Sequence, residues 1–422
     1  MGSTLDGRSS ERWLSQRRIH ILAAAFLAIE IALFGFLVAG THGWIAPLET
    51  KPTTDFVSFY AAGTLANAGT PQLAYDHASH LAAEEAATEP GIEYQFFNYP
   101  PVFMLLCAVL ARMPYLVAFI GFELFSLVFY VLVARRILNH AGSTVFVLLL
   151  SFPIVFWNFG LGQNAFLTAG LFGAGTLLVD RRPIVAGVCF GALCYKPHLA
   201  LLVPIALLMG GRWRCLTAAA ASAGALVFGS IAAFGFDAWR AFLATAASSH
   251  TMYESGRILF SGFASPFGAA RFMGADISVA YGIQGVATIV SGAVVAIAWR
   301  RKLSLPTRAG VLAAGALVAT PLALIYDLLL PAIGACWLLR GDAVNRLKTW
   351  ERIAFVGLFV LLLAPRGMAE ALHAPVSFFA VLIVFGLACR RMLYEMQEPY
   401  VPTRGRQRIG AEVSQRLTNA RS

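Results

Sequence analysis

Charge is scarce in this chain. Lys, Arg, Asp and Glu make up 13% of its 422 residues, where a soluble domain carries about 25%. That shortage excludes an ordinary water-facing surface. The acids number 22 against 32 bases and form no DxD pair. HExxH and the phosphate-binding loop GxxxxGK[ST] are also missing. With no local metal or nucleotide signature, neither a metal nor a cofactor is expected. The six cysteines (Cys107, Cys189, Cys194, Cys215, Cys336, Cys389) lie in or beside apolar runs without zinc-like spacing. A disulfide framework is not expected either. No repeat of fixed period appears, and the two halves look unlike each other. This counts against a transporter built from inverted repeats. No segment signals a protein partner.

What the chain has in abundance is apolar sequence. It is 58% hydrophobic, with a mean hydropathy of +0.70. Thirteen apolar runs can be marked, at about 19–40, 100–112, 115–134, 144–159, 163–179, 184–195, 197–210, 215–235, 277–298, 307–326, 328–340, 353–365 and 375–389. Long apolar runs separated by basic clusters predict an all-α, polytopic transmembrane bundle. Helices satisfy the backbone internally, as lipid demands. The net charge of +10 does not point to nucleic acid. Its arginines cluster at segment ends, as in Arg17-Arg18, Arg135-Arg136, Arg181-Arg182, Arg300-Arg301 and Arg390-Arg391. Such clusters mark the cytoplasmic side of a membrane protein.

Residues 1–18 are polar and basic, and 21–39 are apolar with no convincing cleavage site. A cytoplasmic N-terminal segment and a retained first helix are expected. The bundle then covers 19–390. Residues 391–422 are expected to form a basic, disordered cytoplasmic tail. Termini on one side require an even number of crossings, about twelve by length. The run 100–112 is about 20 Å long as a helix and is expected to dip in without crossing or to pack among other helices. In 184–210, Lys196-Pro197 sits midway between two short apolar halves. A helix-break-helix hairpin with the lysine at its tip is predicted.

Two long loops are then external, at about 41–99 and 236–276. The first carries seven acids against one lysine, Lys51. Within it, "TKPTTDFVSFYAAG" places Asp55 before Phe56, Phe59 and Tyr60 at helical spacing. An interfacial helix is predicted there, lying flat on the membrane and capped by Thr54 or Asp55. A second helix follows Asp76 as its cap, with Glu84 and Glu85 exposed. In the second loop, Trp239 is expected to anchor an interfacial helix.

An ordered set of short stretches resembles a known family. These are "DFVSFYAAG", "LAYD" (Leu73–Asp76), "YPP" (Tyr99–Pro101), "GQNAFLTAGL" (Gly162–Leu171), "RRPIVAGVCFGALCYKPHLALLVP" (Arg181–Pro204) and "TPLALIYDLLL" (Thr320–Leu330). Together they look like glycosyltransferase family 87, over about residues 20–390. The resemblance implies a GT-C-type membrane enzyme of the bacterial plasma (inner) membrane. It would transfer a sugar, mannose by default, from a polyprenyl phosphate to an acceptor hydroxyl on a lipid or glycan at the external face. It also implies that Asp55 is the general base. The competing class is a transporter or lipid flippase, for which Lys196, Glu30 and Glu123 would be pathway charges.

The other candidates follow from residue type and place. Lys196, with His198 and Arg257, suits a lipid phosphate; Lys196 as a snorkelling side chain is the alternative. Tyr99, Gln163, Asn164, Tyr326 and Asp327 sit at external helix ends and are candidates for substrate hydroxyls. Some family members carry a histidine pair where this chain has Tyr326-Asp327, so a role tied to histidine does not transfer. Asp327 is also a candidate partner for Lys196 or Arg257. Glu30 and Glu123 are expected to be hydrogen-bonded between helices.

Overall fold

Proline punctuates the helix starts. Its missing N–H costs nothing in a first helical turn, and its fixed φ favours one. In a computed structural model, which describes residues 16–41, 54–139, 142–254, 259–341 and 348–397, Pro101, Pro153, Pro183, Pro266 and Pro365 each open a helix. The helices are α1 (Gln16–Thr41), α2 (Phe56–Asn67), α3 (His77–Ala87), α4 (Pro101–Leu110), α5 (Tyr115–Leu138), α6 (Ser143–Leu150), α7 (Pro153–Leu161), α8 (Ala165–Leu178) and α9 (Pro183–Ala192). Then come α10 (Leu202–Met209), α11 (Trp213–Glu254), α12 (Pro266–Phe272), α13 (Ile277–Arg300), α14 (Leu305–Val318), α15 (Leu329–Leu338), α16 (Thr349–Leu361), α17 (Pro365–Leu372) and α18 (Val376–Gln397). Among the described residues the only β pairing is an isolated bridge between Phe263 and Leu324.

The all-helical expectation holds. By length and composition, four helices can each cross a membrane, or six if two bent pairs each count as one span. The pairs are α6 with α7, bent by 50°, and α16 with α17, bent by 100°. The expected twelve or so crossings are not reached on this measure, because many apolar helices are only 10–17 residues long.

The bundle has two chemically different ends. At one end lie Arg136, Asp180, Arg212, Arg308, Arg340 and Arg391. They are tied together by Asp180 to Arg212 (2.6 Å) and Arg308 (2.9 Å), by Arg340 to the Arg136 carbonyl (3.1 Å), and by Arg391 to the Leu338 carbonyl (2.9 Å). At the other end lie the start of α5, the α7–α8 turn, Lys196 and Asp327.

Segment 184–210 forms the predicted hairpin. Gly187 and Gly191 press on the Cys215 and Ala219 carbonyls of α11, so α9 runs parallel to the start of α11. The chain reaches α11 through α10, which therefore runs back the other way. The 3-10 turns Leu193–Tyr195 and Pro197–Ala200 flank Lys196 at the tip. α4 is short as expected, and both its flanks lie at the Lys196 end: Tyr99 contacts Gln163, and Met113 receives the Tyr60 hydroxyl.

Several expectations change. α2 does not lie flat on a surface: Phe56, Val57, Ser58, Phe59, Ala61, Ala62 and Gly63 are all buried, enclosed by α3 and α4. Glu84 is buried rather than exposed, receiving the Gln95 N–H at 3.2 Å beside His80. Within the expected external stretch 236–276 the described residues are mostly helical. α11 continues past Gly235, which alone leaves helical geometry (φ 75°, ψ 173°). Trp239 there donates to Ser230 at 3.1 Å and packs on Phe242, which meets Tyr75. α18 runs through Gln397, so residues 391–397 are helical. The rest of the expected tail and residues 1–15 lie outside the described residues. Glu123 meets Asn158 across helices at 3.4 Å as expected, whereas Glu30 keeps one carboxyl oxygen buried without a partner.

Candidate active site

The site is assembled around the α7–α8 turn. α7 ends on Gly162 in the left-handed region (φ 69°, ψ 40°), which glycine enters without strain. A Cβ at Gly162 would also come within 2.8 Å of the Phe56 Cβ. The turn receives the backbone N–H of Asp55 on the Leu161 carbonyl at 2.7 Å. The next residue, Gln163, donates its amide to Asp55 Oδ2 at 2.7 Å. Its carbonyl oxygen accepts from the Tyr99 hydroxyl at 3.2 Å. These two partners fix the amide orientation, since flipping it would set two acceptors face to face.

Beneath the turn, fully buried Asn158 donates to the Gln163 carbonyl (2.9 Å) and accepts from the Ala165 N–H (3.2 Å). The same amide meets Glu123, so a polar chain runs Glu123–Asn158–Gln163–Asp55. Asn158 was missed in sequence; its signal was a single amide inside an apolar run.

Asp55 is not the cap of α2. Its backbone is already helical (φ −60°, ψ −18°), and its carboxylate accepts no capping bond. Thr54 does not cap either; its hydroxyl meets Tyr115 at 3.1 Å. By contrast Asp76 caps α3 as expected, through the Ser79 N–H at 3.0 Å. Asp55 Oδ2 is committed to Gln163, and Oδ1 accepts no hydrogen bond among the described residues. Burial raises the Asp55 pKa above the usual carboxylate range; the Gln163 bond and the charges of Arg366 and Lys196 oppose this, and Glu93 reinforces it. The aromatic run behind Asp55 locks its position. Phe56 packs on Tyr115, Phe119 and Phe122, and Phe59 on Tyr99 and Phe103.

The second element is an ion pair. Lys196 and Asp327 are both buried, with Nζ to Oδ1 at 3.0 Å. Asp327 Oδ2 accepts from its own turn at the Leu324 N–H, 3.1 Å. The ammonium also lies over Tyr326, 4.9 Å from the ring centroid, and 5.9 Å from that of Tyr99. Snorkelling is therefore not what Lys196 does. His198 is within electrostatic reach of both Lys196 and Asp327. Asn164 is fully buried beside Tyr99, with no well-formed side-chain hydrogen bond.

The structure thus brings Asp55, Tyr99, Gln163, Asn164, Lys196, His198, Tyr326 and Asp327 to one end of the bundle. Arg257 lies outside the described residues. Arg366, absent from the sequence-derived set, acts electrostatically on Asp55. Among the described residues no group of three His, Cys, Asp or Glu is placed to hold a metal ion.

A sequence profile described as glycosyltransferase family 87 matches residues 96–326. The chain belongs to glycosyltransferase family 87. The matched stretch of this family 87 chain holds Tyr99, Gln163, Asn164, Lys196, His198 and Tyr326. It begins after Asp55 and stops one residue before Asp327. No curated protein and no solved structure matches the chain. Its family and its apolar helices make it a membrane glycosyltransferase.

Proposed function

We propose that this enzyme transfers a hexosyl residue, mannosyl by the family resemblance, from a polyprenyl-phosphate sugar to a hydroxyl of a lipid or glycan acceptor. The reaction inverts the anomeric centre at the external face of the bacterial plasma membrane. The arginine-rich end faces the cytoplasm with both termini, following the positive-inside rule. The helices form a GT-C-type bundle of about twelve crossings, short apolar helices other than α4 among them.

Asp55 is the general base. The acceptor hydroxyl has a high pKa, and a positioned carboxylate removes its proton as the hydroxyl oxygen attacks the anomeric carbon. The polyprenyl phosphate leaves from the opposite side and needs charge stabilisation rather than a proton. The observation that carries this role is the division of labour at Asp55. Gln163 orients it through Oδ2, and no described residue bonds to Oδ1. A raised pKa also suits a base. Tyr99, Asn164, Tyr326 and the Lys196–Asp327 pair lie close by as groups for sugar hydroxyls.

The test is transfer of radiolabelled sugar from synthetic polyprenyl-phosphate donors by the purified enzyme in nanodiscs. Asp55→Asn keeps the shape and removes the base. It is expected to lower kcat by about 10²–10⁴-fold, with unchanged thermal stability. The wild-type rate should fall on the acid side as Asp55 gains its proton. Because burial raises this pKa, that limb should lie at higher pH than for an ordinary carboxylate. Asp55→Asn should lack the limb. Full-rate transfer by Asp55→Asn would sink the base assignment.

A further inference from the structure

The polyprenyl-phosphate reading needs a cation for the donor phosphate, in the ground state and on departure. Lys196 is poorly suited to that role. It is 95% covered and already neutralised by Asp327 at 3.0 Å. Drawing it toward a phosphate would strand a buried carboxylate, a costly change.

Among the described cations at this end, Arg366 is unpaired and its charge reaches Asp55. Arg366 opens the first turn of α17 just after Pro365. The 100° bend between α16 and α17 turns this short helix across the end of the bundle. α17 is pinned by Glu370, which accepts from the Ser261 hydroxyl at 3.2 Å. Arg366 lies against Gly262, where an added Cβ would come within 3.0 Å of its Nε. From Gly262 the route to the site is short. Phe263 bridges to Leu324, whose N–H is held by Asp327. Arg366 is exposed and makes no ion pair or hydrogen bond among the described residues. Its charge acts on Asp55 more strongly than that of Lys196. An arginine fork matches phosphate oxygens in a bidentate way, and an exposed one need not be stripped of an existing partner.

We infer that Arg366 is the residue that binds the phosphate of the polyprenyl-phosphate donor and stabilises the departing polyprenyl phosphate, with Gly262 leaving the room its guanidinium needs. The Lys196–Asp327 pair is then a fixed wall of the sugar site. This inference rests on the donor proposed above, and the experiment separates the two.

Binding of a short-chain polyprenyl phosphate and of the matching polyprenol would be measured on the full-length protein in detergent, for wild type, Arg366→Gln and Arg366→Lys. Thermal stability should stay unchanged, because the side chain is exposed. Wild type is expected to prefer the phosphate at least about tenfold. Arg366→Gln should bind phosphate and alcohol alike, and Arg366→Lys should keep part of the preference. In transfer assays Arg366→Gln should raise the donor KM and lower kcat. A wild-type preference that persists in Arg366→Gln overturns the assignment of Arg366. A wild type that does not distinguish phosphate from alcohol overturns the polyprenyl-phosphate donor itself.

Discussion

The two ends of this bundle use charge in opposite ways. At the arginine-rich end, charges are plentiful, partly wet and shared. Asp180 serves both Arg212 and Arg308, and Glu395 receives Ser304 and Thr307 while approaching Arg391. At the Asp55 end, charges are few: the Lys196–Asp327 pair is dry, and Asp55 is half-buried. Lys196 has Asp327, Asp55 has Gln163, and each contact occurs once. A shared network tolerates the loss of one member. A single buried contact does not, because its deserted partner has no water to turn to.

The largest effect on stability should come from splitting the dry pair. Lys196→Met leaves Asp327 buried without its cation, and removing one partner of such a pair costs about 3–5 kcal/mol. Thermal unfolding in detergent should show it as a large drop in Tm. Adding Asp327→Leu should recover much of the loss, since the deserted charge is then gone. If Lys196→Met leaves Tm in place, the pair is wetter than described and the contrast between the two ends collapses.

A smaller effect, confined to catalysis, is expected at the turn that aims Gln163. Gln163→Leu removes the donor to Asp55 Oδ2. A hydrogen bond to a charged group is worth about 1.5–3 kcal/mol, so kcat should fall roughly 10–100-fold with little change in donor KM. Gly162→Ala should act on both properties. It strains a left-handed residue by about 1–2 kcal/mol and drives a methyl toward Phe56, displacing Gln163. A Gln163→Leu enzyme with unchanged kcat would show that Asp55 holds its orientation unaided.

How much of this was legible in the sequence depended on the range of the deciding contact. The Lys196 hairpin was readable because Lys196-Pro197 breaks an apolar run locally. Asp76 was readable as a cap because its partner, Ser79, is three residues away. Asp55 carries the same local signal, an acid before a helix, yet its partner lies 108 residues along the chain. Nothing local separates the two acids. The flat interfacial helix failed for the same reason: the burial of residues 56–59 and 61–63 of α2 depends on α3 and α4 closing over it. Arg366 looked like one more basic residue between apolar runs, because the bend that turns α17 toward the site is a tertiary feature. A helix around Trp239 was readable, but not that it continues α11, because one glycine, Gly235, kinks the run there.

The smallest effect should be found at the arginine-rich end. Arg212 and Asp180 are 2.6 Å apart, but their side chains are 35% and 31% exposed. Water therefore screens much of their attraction, and such pairs contribute about 0–1 kcal/mol. Arg212→Met also leaves Asp180 with Arg308 at 2.9 Å, so no carboxylate is deserted. Tm should move little, transfer should be unchanged, and the shift should be far below that of Lys196→Met in the same detergent. The double variant Arg212→Met, Arg308→Met then measures the sharing directly. If the network is redundant, the loss should exceed the sum of the single losses, because only the pair of changes strips Asp180 of both cations. Strictly additive losses would mean that the two arginines act independently, and that this end differs from the Asp55 end in wetness alone.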